Sequence, residues 1–227
     1  MGPLMVDFGA TALAALKRFG RNPGELEGIA ITHLHGDHIG GLAFLLIDLM
    51  FNAIRTRPLT VVGPVGTRDA LDEGLRVAYR DLADFKKPYE IEVQELEPGQ
   101  AGSLAGATVR AFPADHMDPP DRPLCLQIEG PSGVTVGFSG DTTMNDGLLA
   151  VADGAHLLVA ECSRVRPPCG RHCTWEDWLR VLPNLANERV LFTHLNEEVR
   201  EQGAELLAQA PPGKTLQFAE DGLVLTI

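Results

Sequence analysis

No run of apolar residues in this chain is long enough to cross a membrane. The longest, Leu42 to Phe51, is interrupted by Asp48, and a helical span needs about 20 apolar residues. The opening residues, M-G-P-L-M-V-D-F-G, lack a basic segment followed by an apolar one, so no signal peptide is read there. Cysteine is scarce, at Cys125, Cys162, Cys169 and Cys173. A chain of 227 residues can bury a large core without staples, so these four are read as thiols and a reducing cytoplasm is the expected location. Positive charge is short as well: 19 basic against 31 acidic side chains leave a net charge of −12. Such a surface repels polyanions, which argues against nonspecific binding to nucleic acid or anionic membranes. Internal repeats, low-complexity tracts and linkers are also missing, and a single domain over residues 1–227 is expected.

Short β-type runs alternate with helical ones. Strands are expected at Leu4–Asp7, Gly28–Thr32, Leu59–Val62, Tyr89–Leu96, Ala107–Phe112, Leu124–Glu129, Val134–Ser139, His156–Ala160, Arg189–Thr193, Thr215–Ala219 and Leu223–Ile227. Helices are expected at Ala10–Phe19, Ile39–Asn52, Thr67–Phe85, Trp175–Ala186 and Glu197–Gln209. In the third helix Leu71, Leu75, Ala78, Leu82 and Phe85 form one apolar stripe. The pattern is that of a layered α/β protein, with a hairpin turn over Glu129-Gly130-Pro131-Ser132-Gly133.

Within that framework one stretch is dense in metal-binding side chains. T-H-L-H-G-D-H-I-G-G, residues 32–41, holds three of the chain's seven histidines and an aspartate. It lies between a strand and a helix, where α/β proteins place their sites. His33 and His35, two apart, can point the same way, whereas Asp37 and His38 point elsewhere, which suits two neighbouring ions. Taken singly, Asp37 could be a helix cap and any one histidine a surface residue. Taken together, nitrogen and carboxylate donors in this density are what zinc takes. Further donors follow at other strand ends: His116 after A-F-P-A-D, Asp141 in F-S-G-D-T, and His194 in L-F-T-H.

These motifs resemble those of the metallo-β-lactamase-fold hydrolases, in the branch of ribonuclease Z and its small phosphodiesterase relatives. The resemblance runs from V-D-F-G to D-G-L. It implies a four-layer αβ/βα sandwich with two mixed β-sheets and a binuclear centre, of zinc first and of manganese or iron as alternatives. His33, His35 and His116 would hold one ion, Asp37, His38 and His194 the other, and Asp141 would bridge them. Two cations about 3.5–4 Å apart can activate a water and stabilise both the attacking and the leaving oxygen. Asp37 could orient that water. Asp7 resembles the family's carboxylate that fixes the tautomer of a ligating histidine, though a turn aspartate before Gly9 is nearly as good a reading.

R-H-C-T-W-E-D resembles the H-x-T segment of ribonuclease Z-like enzymes, in which the histidine protonates the leaving group. His172 is therefore a catalytic candidate beside Asp37, with a plain surface loop as the alternative. His156 receives no role, and Cys169 and Cys173 without a second pair make a poor zinc knuckle. The expected activity is hydrolysis of a small or cyclic phosphodiester or an RNA-like substrate. Glyoxalase II-like thioesterases and lactonases share the bridging aspartate and remain the alternative; a metal-stabilised domain without catalysis is a third reading. A tRNA partner is disfavoured, because no Lys/Gly-rich arm interrupts Ser103–Phe112. Arg55, Arg57, Arg164 and Arg166 could supply anion contacts. Relatives usually begin with strands that precede V-D-x-G; their expected absence here implies either a start codon placed too late or a subunit contact that covers the edge. An open edge on Leu4–Asp7 would then favour a homodimer.

Overall fold

The computed structural model describes residues 3–227. The chain divides into two compact units, Met1–Glu97 with Ala101–Val109 and Pro98–Gln100 with Arg110–Ile227.

The first unit is built on β1 (Leu4–Val6), α1 (Ala12–Arg18), β2 (Gly28–Ala30), α2 (Gly36–Ile39), α3 (Leu42–Phe51), β3 (Leu59–Pro64), α4 (Thr67–Tyr79), β4 (Ile91–Leu96) and β5 (Ala101–Leu104). Four of its strands form a sheet in the order β1-β2-β3-β4, and every ladder in it is parallel. That follows from the connections: each crossover carries helix, and a parallel pair cannot be closed by a tight turn. Between β2 and β3 the sequence predicts one helix, but Gly40-Gly41 divides it into α2 and α3. α3 buries Leu42, Leu45, Leu46 and Leu49 against Phe8, Ile29, Ile31 and Val61. Its Asp48 is also buried, and its carboxylate accepts from Lys17 Nζ of α1 and from Asn52 at 2.7 Å. The stripe expected through Phe85 ends early. α4 buries Leu71 and Leu75 but stops at Tyr79, where Arg80 turns to φ 34°, and Phe85 lies exposed.

Arg55 is not available to an anion. Its buried guanidinium donates to the carbonyls of Arg57 at 2.9 Å, Leu26 at 2.6 Å, Gly24 at 3.2 Å and Pro58. It acts as a backbone clamp that ties the Gly24–Leu26 segment to Arg57–Pro58. Arg57 likewise donates to the Glu25 and Gly24 carbonyls and pairs with Glu27.

β6 (Ala107–Pro113) carries the chain into the second unit. There follow β7 (Leu124–Glu129), β8 (Thr135–Phe138), α5 (Asp146–Ala152), β9 (Leu157–Glu161), α6 (Trp175–Val181), β10 (Arg189–Thr193), α7 (Glu197–Glu201), α8 (Gly203–Leu207) and β11 (Thr215–Phe218). The strands of this unit run in the order β11-β10-β9-β8-β7-β6 within a seven-stranded sheet that ends on β5. β7 and β8 are antiparallel across the expected hairpin turn, while β8, β9, β10 and β11 pair in parallel, so this sheet is mixed. Trp175 and Trp178 of α6 are wholly buried and pack edge-on against Phe192 of β10, with ring centroids 5.5 and 5.2 Å apart. α5 was not legible as a helix; Asn145 caps it by accepting from Leu148 N. The strand expected at Leu223–Ile227 does not form, and those residues are mostly exposed. Among the described residues no helix is long and apolar enough to cross a membrane.

Candidate metal centre

Four of the expected donors sit together in the first unit. The β2 ladder continues one residue past its end, with Ile31 N donating to Val62 O at 2.7 Å. The chain then leaves the sheet through Thr32 and His33, both buried, and enters α2 with His35 as its N-cap. Three imidazoles crowd here: the His33 ring lies 4.9 Å from that of His35 and 4.0 Å from that of His38. Asp37 Oδ2 is 3.5 Å from His38 Nε2 and is well exposed. Glycines make this loop possible. A Cβ on Gly9 would fall 2.0 Å from Asp37 O, and one on Gly41 would fall 2.1 Å from Gly9 O. Two backbone bonds use that close approach, Phe8 N to His38 O at 2.6 Å and Gly41 N to Phe8 O at 2.9 Å.

Asp7 orders the cluster from beneath. It adopts φ 57°, a conformation that aspartate tolerates better than most residues. Its carboxylate accepts from Thr32 N at 2.7 Å, Thr32 Oγ1 at 2.8 Å and His38 Nδ1 at 2.7 Å. Because the Thr32 hydroxyl spends its only hydrogen on Asp7, it can only accept from His33 Nδ1, 3.1 Å away. Both rings therefore carry hydrogen on Nδ1, which leaves Nε2 as the nitrogen that a metal would take. Of the two readings of Asp7, the structure supports tautomer control.

In the second unit His116 follows β6, Asp141 follows β8, His194 follows β10, and His172 lies between β9 and α6. Asp141 is buried, and its Oδ2 lies 3.1 Å from His194 Nε2 and 3.7 Å from His116 Nε2. His116 Nδ1 donates to the Arg171 carbonyl at 3.0 Å. His194 Nδ1 donates to Ser163 Oγ at 2.8 Å, because that hydroxyl gives its own hydrogen to Glu161 Oε2 at 2.9 Å. Two Nε2 atoms thus face one carboxylate oxygen. With their lone pairs pointing inward they would repel it, so the arrangement calls for positive charge among them: a proton on the rings or a shared cation. The ligand atoms of His116, Asp141 and His172 lie within 4.8 Å of one another, as do those of Glu161, His172 and His194. Nitrogen and carboxylate donors with their outer nitrogens tied to carbonyl, hydroxyl and carboxylate partners fit zinc, and they fit manganese or iron as well.

Glu161 is the residue that sequence reasoning passed over. It ends β9, is wholly buried, and accepts from Thr142 N at 2.7 Å, Ser163 Oγ at 2.9 Å and His172 Nδ1 at 3.0 Å. Its own backbone N–H donates to Ser139 Oγ and its carbonyl accepts from Trp178 Nε1. The signal was present in L-L-V-A-E, an apolar run closed by a carboxylate, the same pattern that exposed Asp141 and His194. The hydrogen bond to Glu161 raises the His172 pKa above its ordinary value, against the desolvation that lowers it. Thr174 caps α6 in a reciprocal box with Asp177 and so fixes the segment that carries His172. His156 lies apart, its Nδ1 accepting from Thr135 N at 3.1 Å. Burial pushes the Cys169 thiol up to about 11 and lifts Cys125, Cys162 and Cys173 further. Among the described residues no cysteine enters a potential metal-binding group.

Two parallel-rich sheets with donors at strand ends define the class, a metallo-β-lactamase fold. The metallo-β-lactamase fold protein YhfI from Bacillus subtilis superposes with a TM-score of 0.74 at 20% identity, covering 97% of this chain and 85% of that one. A family model described as Anti-Pycsar protein Apyc1 matches residues 2–210. Among curated proteins, ribonuclease Z of Mycobacterium sp. (strain KMS) is 31% identical over 209 residues, 84% of this chain and 73% of the relative. Ribonuclease Z of Mycobacterium bovis (strain BCG / Pasteur 1173P2) is 34% identical over 164 residues, 68% of this chain. The chain spans 58% of the length of that relative. The chain belongs to the Apyc1 family, within the ribonuclease Z-like metallo-β-lactamase-fold hydrolases.

Asp7→Asn leaves one acceptor oxygen where three donors converge. In protein titrated with zinc against a competing chelator, affinity should fall about 10- to 100-fold. Unchanged affinity would return Asp7 to the role of a turn residue.

Proposed function

We propose that the protein is a binuclear metal-dependent phosphodiesterase acting on a small or cyclic phosphodiester. His33, His35 and His116 would hold one divalent ion, Asp37, His38 and His194 the other, with Asp141 between them. The observation that carries this reading is the Asp141 carboxylate faced by two Nε2 atoms whose Nδ1 positions are tied elsewhere. When bound, two cations supply Lewis acidity for the attacking water and for the phosphoryl oxygens. Asp37, exposed on its loop, accepts a hydrogen bond from that water and aims it. His172 gives a proton from Nε2 to the departing alkoxide while Glu161 holds Nδ1–H, a contribution worth about 10²–10⁴-fold. Zinc is the first expectation, since imidazole and carboxylate donors suit it. The named activity of the mycobacterial relatives, ribonuclease Z, supports phosphodiester chemistry. The net charge of −12 favours a small substrate over a tRNA.

Four free thiols fit a reducing cytoplasm. A homodimer is part of the same reading. β1 ends the order β1-β2-β3-β4 among the described residues, and an edge strand offers backbone groups to a second copy.

Elemental analysis of protein purified without chelator should find about two divalent ions per chain, and Asp141→Ala should lose at least one. A single fully occupied ion in the unaltered protein overturns the binuclear assignment. A chromogenic bis-aryl phosphodiester should be hydrolysed with kcat/KM orders of magnitude above lactam, lactone and thioester substrates, and a chelator should abolish the activity. Best activity on an acyl substrate would make the thioesterase or lactonase reading correct. On a diester with a poor leaving group, His172→Ala should lower kcat by about 10²–10⁴ with metal content unchanged. Light scattering at dilute concentration should give twice the chain mass; a stable monomer removes the dimer.

A further inference from the structure

The loop over residues 114–123 carries His116 between β6 and β7, and its neck is closed by Ala114 N donating to Pro123 O at 3.1 Å. Its root is held from one side. Asp115 N donates to Thr142 Oγ1 at 2.9 Å, Thr143 N to Asp115 O at 3.0 Å and Thr143 Oγ1 to Asp115 Oδ2 at 2.9 Å. Its tip turns over residues 118–121, where Asp121 N donates to Asp118 O at 3.2 Å. Arg171 grips that tip: its Nη2 donates to Asp118 Oδ1 at 2.7 Å, and its Nε lies 4.0 Å from Asp115 Oδ1.

Arg171 has a second hold on the same loop. Its carbonyl accepts from His116 Nδ1 at 3.0 Å. The next residue is His172, whose ring meets that of His116 edge-on with centroids 4.7 Å apart. One residue therefore touches His116 by its main chain and the tip of the His116 loop by its side chain. A carbonyl orients an imidazole only if the carbonyl is itself held, and residues 165–173 belong to neither helix nor strand. The guanidinium supplies that restraint. Its pair with Asp118 is solvent-exposed, 44% at Arg171 and 82% at Asp118, so its contribution to stability is small. What the pair sets is the separation and tilt of two rings.

We propose that Arg171 is a positioning residue: through its ion pair with Asp118 it holds the His116 loop against the His172 segment, so that metal ligand and proton donor keep one arrangement. The proposal rests on the metal-dependent phosphodiesterase reading and adds a residue that acts through two others. Small displacements matter at such a place. A shift of about 1 Å at a reacting group can cost about 10²-fold in rate, and loss of a partner that orients a ligating histidine costs about 10- to 100-fold in metal affinity.

The test is a double-mutant cycle on Arg171→Met and Asp118→Asn in the full chain. Zinc affinity is read by titration against a competing chelator, which needs no turnover. The proton-transfer step is read in zinc-loaded protein as the ratio of kcat on a diester with a poor leaving group to kcat on a chromogenic bis-aryl diester. Each single variant should weaken zinc binding and lower that ratio, each about tenfold, and the double variant should be no worse than either alone. Thermal melting should shift by less than about 4 °C, as for a surface pair. Asp118→Asn, at the exposed tip, carries the test if Arg171→Met is poorly folded. An unchanged ratio or an unchanged zinc affinity in the single variants overturns the proposal, as do losses that multiply in the double variant. Unaltered protein that binds zinc but hydrolyses neither diester overturns the phosphodiesterase reading instead, and the zinc titrations then decide the role of Arg171 by themselves.

Discussion

Much of the second unit depends on one buried carboxylate. Glu161 is wholly removed from water, and an isolated ionised carboxylate in that position would cost far more than the few kcal/mol that separate folded from unfolded protein. Three donors converge on it, an N–H of Thr142, the hydroxyl of Ser163 and Nδ1 of His172. Each belongs to the neighbourhood of a site residue. Thr142 follows Asp141, and Ser163 passes the constraint on to His194. Charge-assisted bonds of this kind are about twice as strong as neutral ones. The burial cost thus becomes positional order: a wrong register of β8, β9 or β10 would leave the carboxylate without its donors.

The first unit repeats the device with different residues. Asp7, at the end of β1, accepts a backbone N–H and a hydroxyl from Thr32 and an imidazole N–H from His38. As Ser163 relays Glu161 to His194, so Thr32 relays Asp7 to His33. Each carboxylate thus holds two histidines, one directly and one through a hydroxyl. In each case Nδ1 is the tied nitrogen. Two acids thus fix the ring orientation of four histidines through their Nδ1 positions.

The sequence carried the donors better than their supports. A donor such as His116 or His194 stands just past an apolar strand, where its chemistry and its place in the pattern coincide. Glu161 closes a strand too, but a lone carboxylate after an apolar run reads as the point where burial stops. Only the three-dimensional convergence of Thr142, Ser163 and His172 shows that it is buried. Helix extents were legible where local periodicity ruled and failed where backbone geometry did: Gly40-Gly41 splits α2 from α3, and Arg80 at φ 34° stops α4 before Leu82. L-V-L-T-I has the composition of a strand, yet strand formation needs a partner, and pairing is not a local property. α5 was missed for the opposite reason. It is too short for a periodic signature, and its start is set by the Asn145 cap.

Charge places a further constraint on what such a site can accept. A protein carrying 12 net negative charges repels a polyanion over roughly a Debye length, about 8 Å at physiological ionic strength. Long-range repulsion of this kind scales with the number of phosphates, so it weighs lightly on a ligand with one or two charges and heavily on a folded RNA. The arginines that might have offset it are occupied: Arg55 by carbonyls, Arg57 by Glu27, Arg164 by Glu198 and Arg166 by Glu176. Exposed pairs of this sort contribute little stability, but each removes a cation from the field an incoming phosphate meets. In the proposed reading, attraction for a phosphate would then fall to the metal ions themselves, not to these arginines.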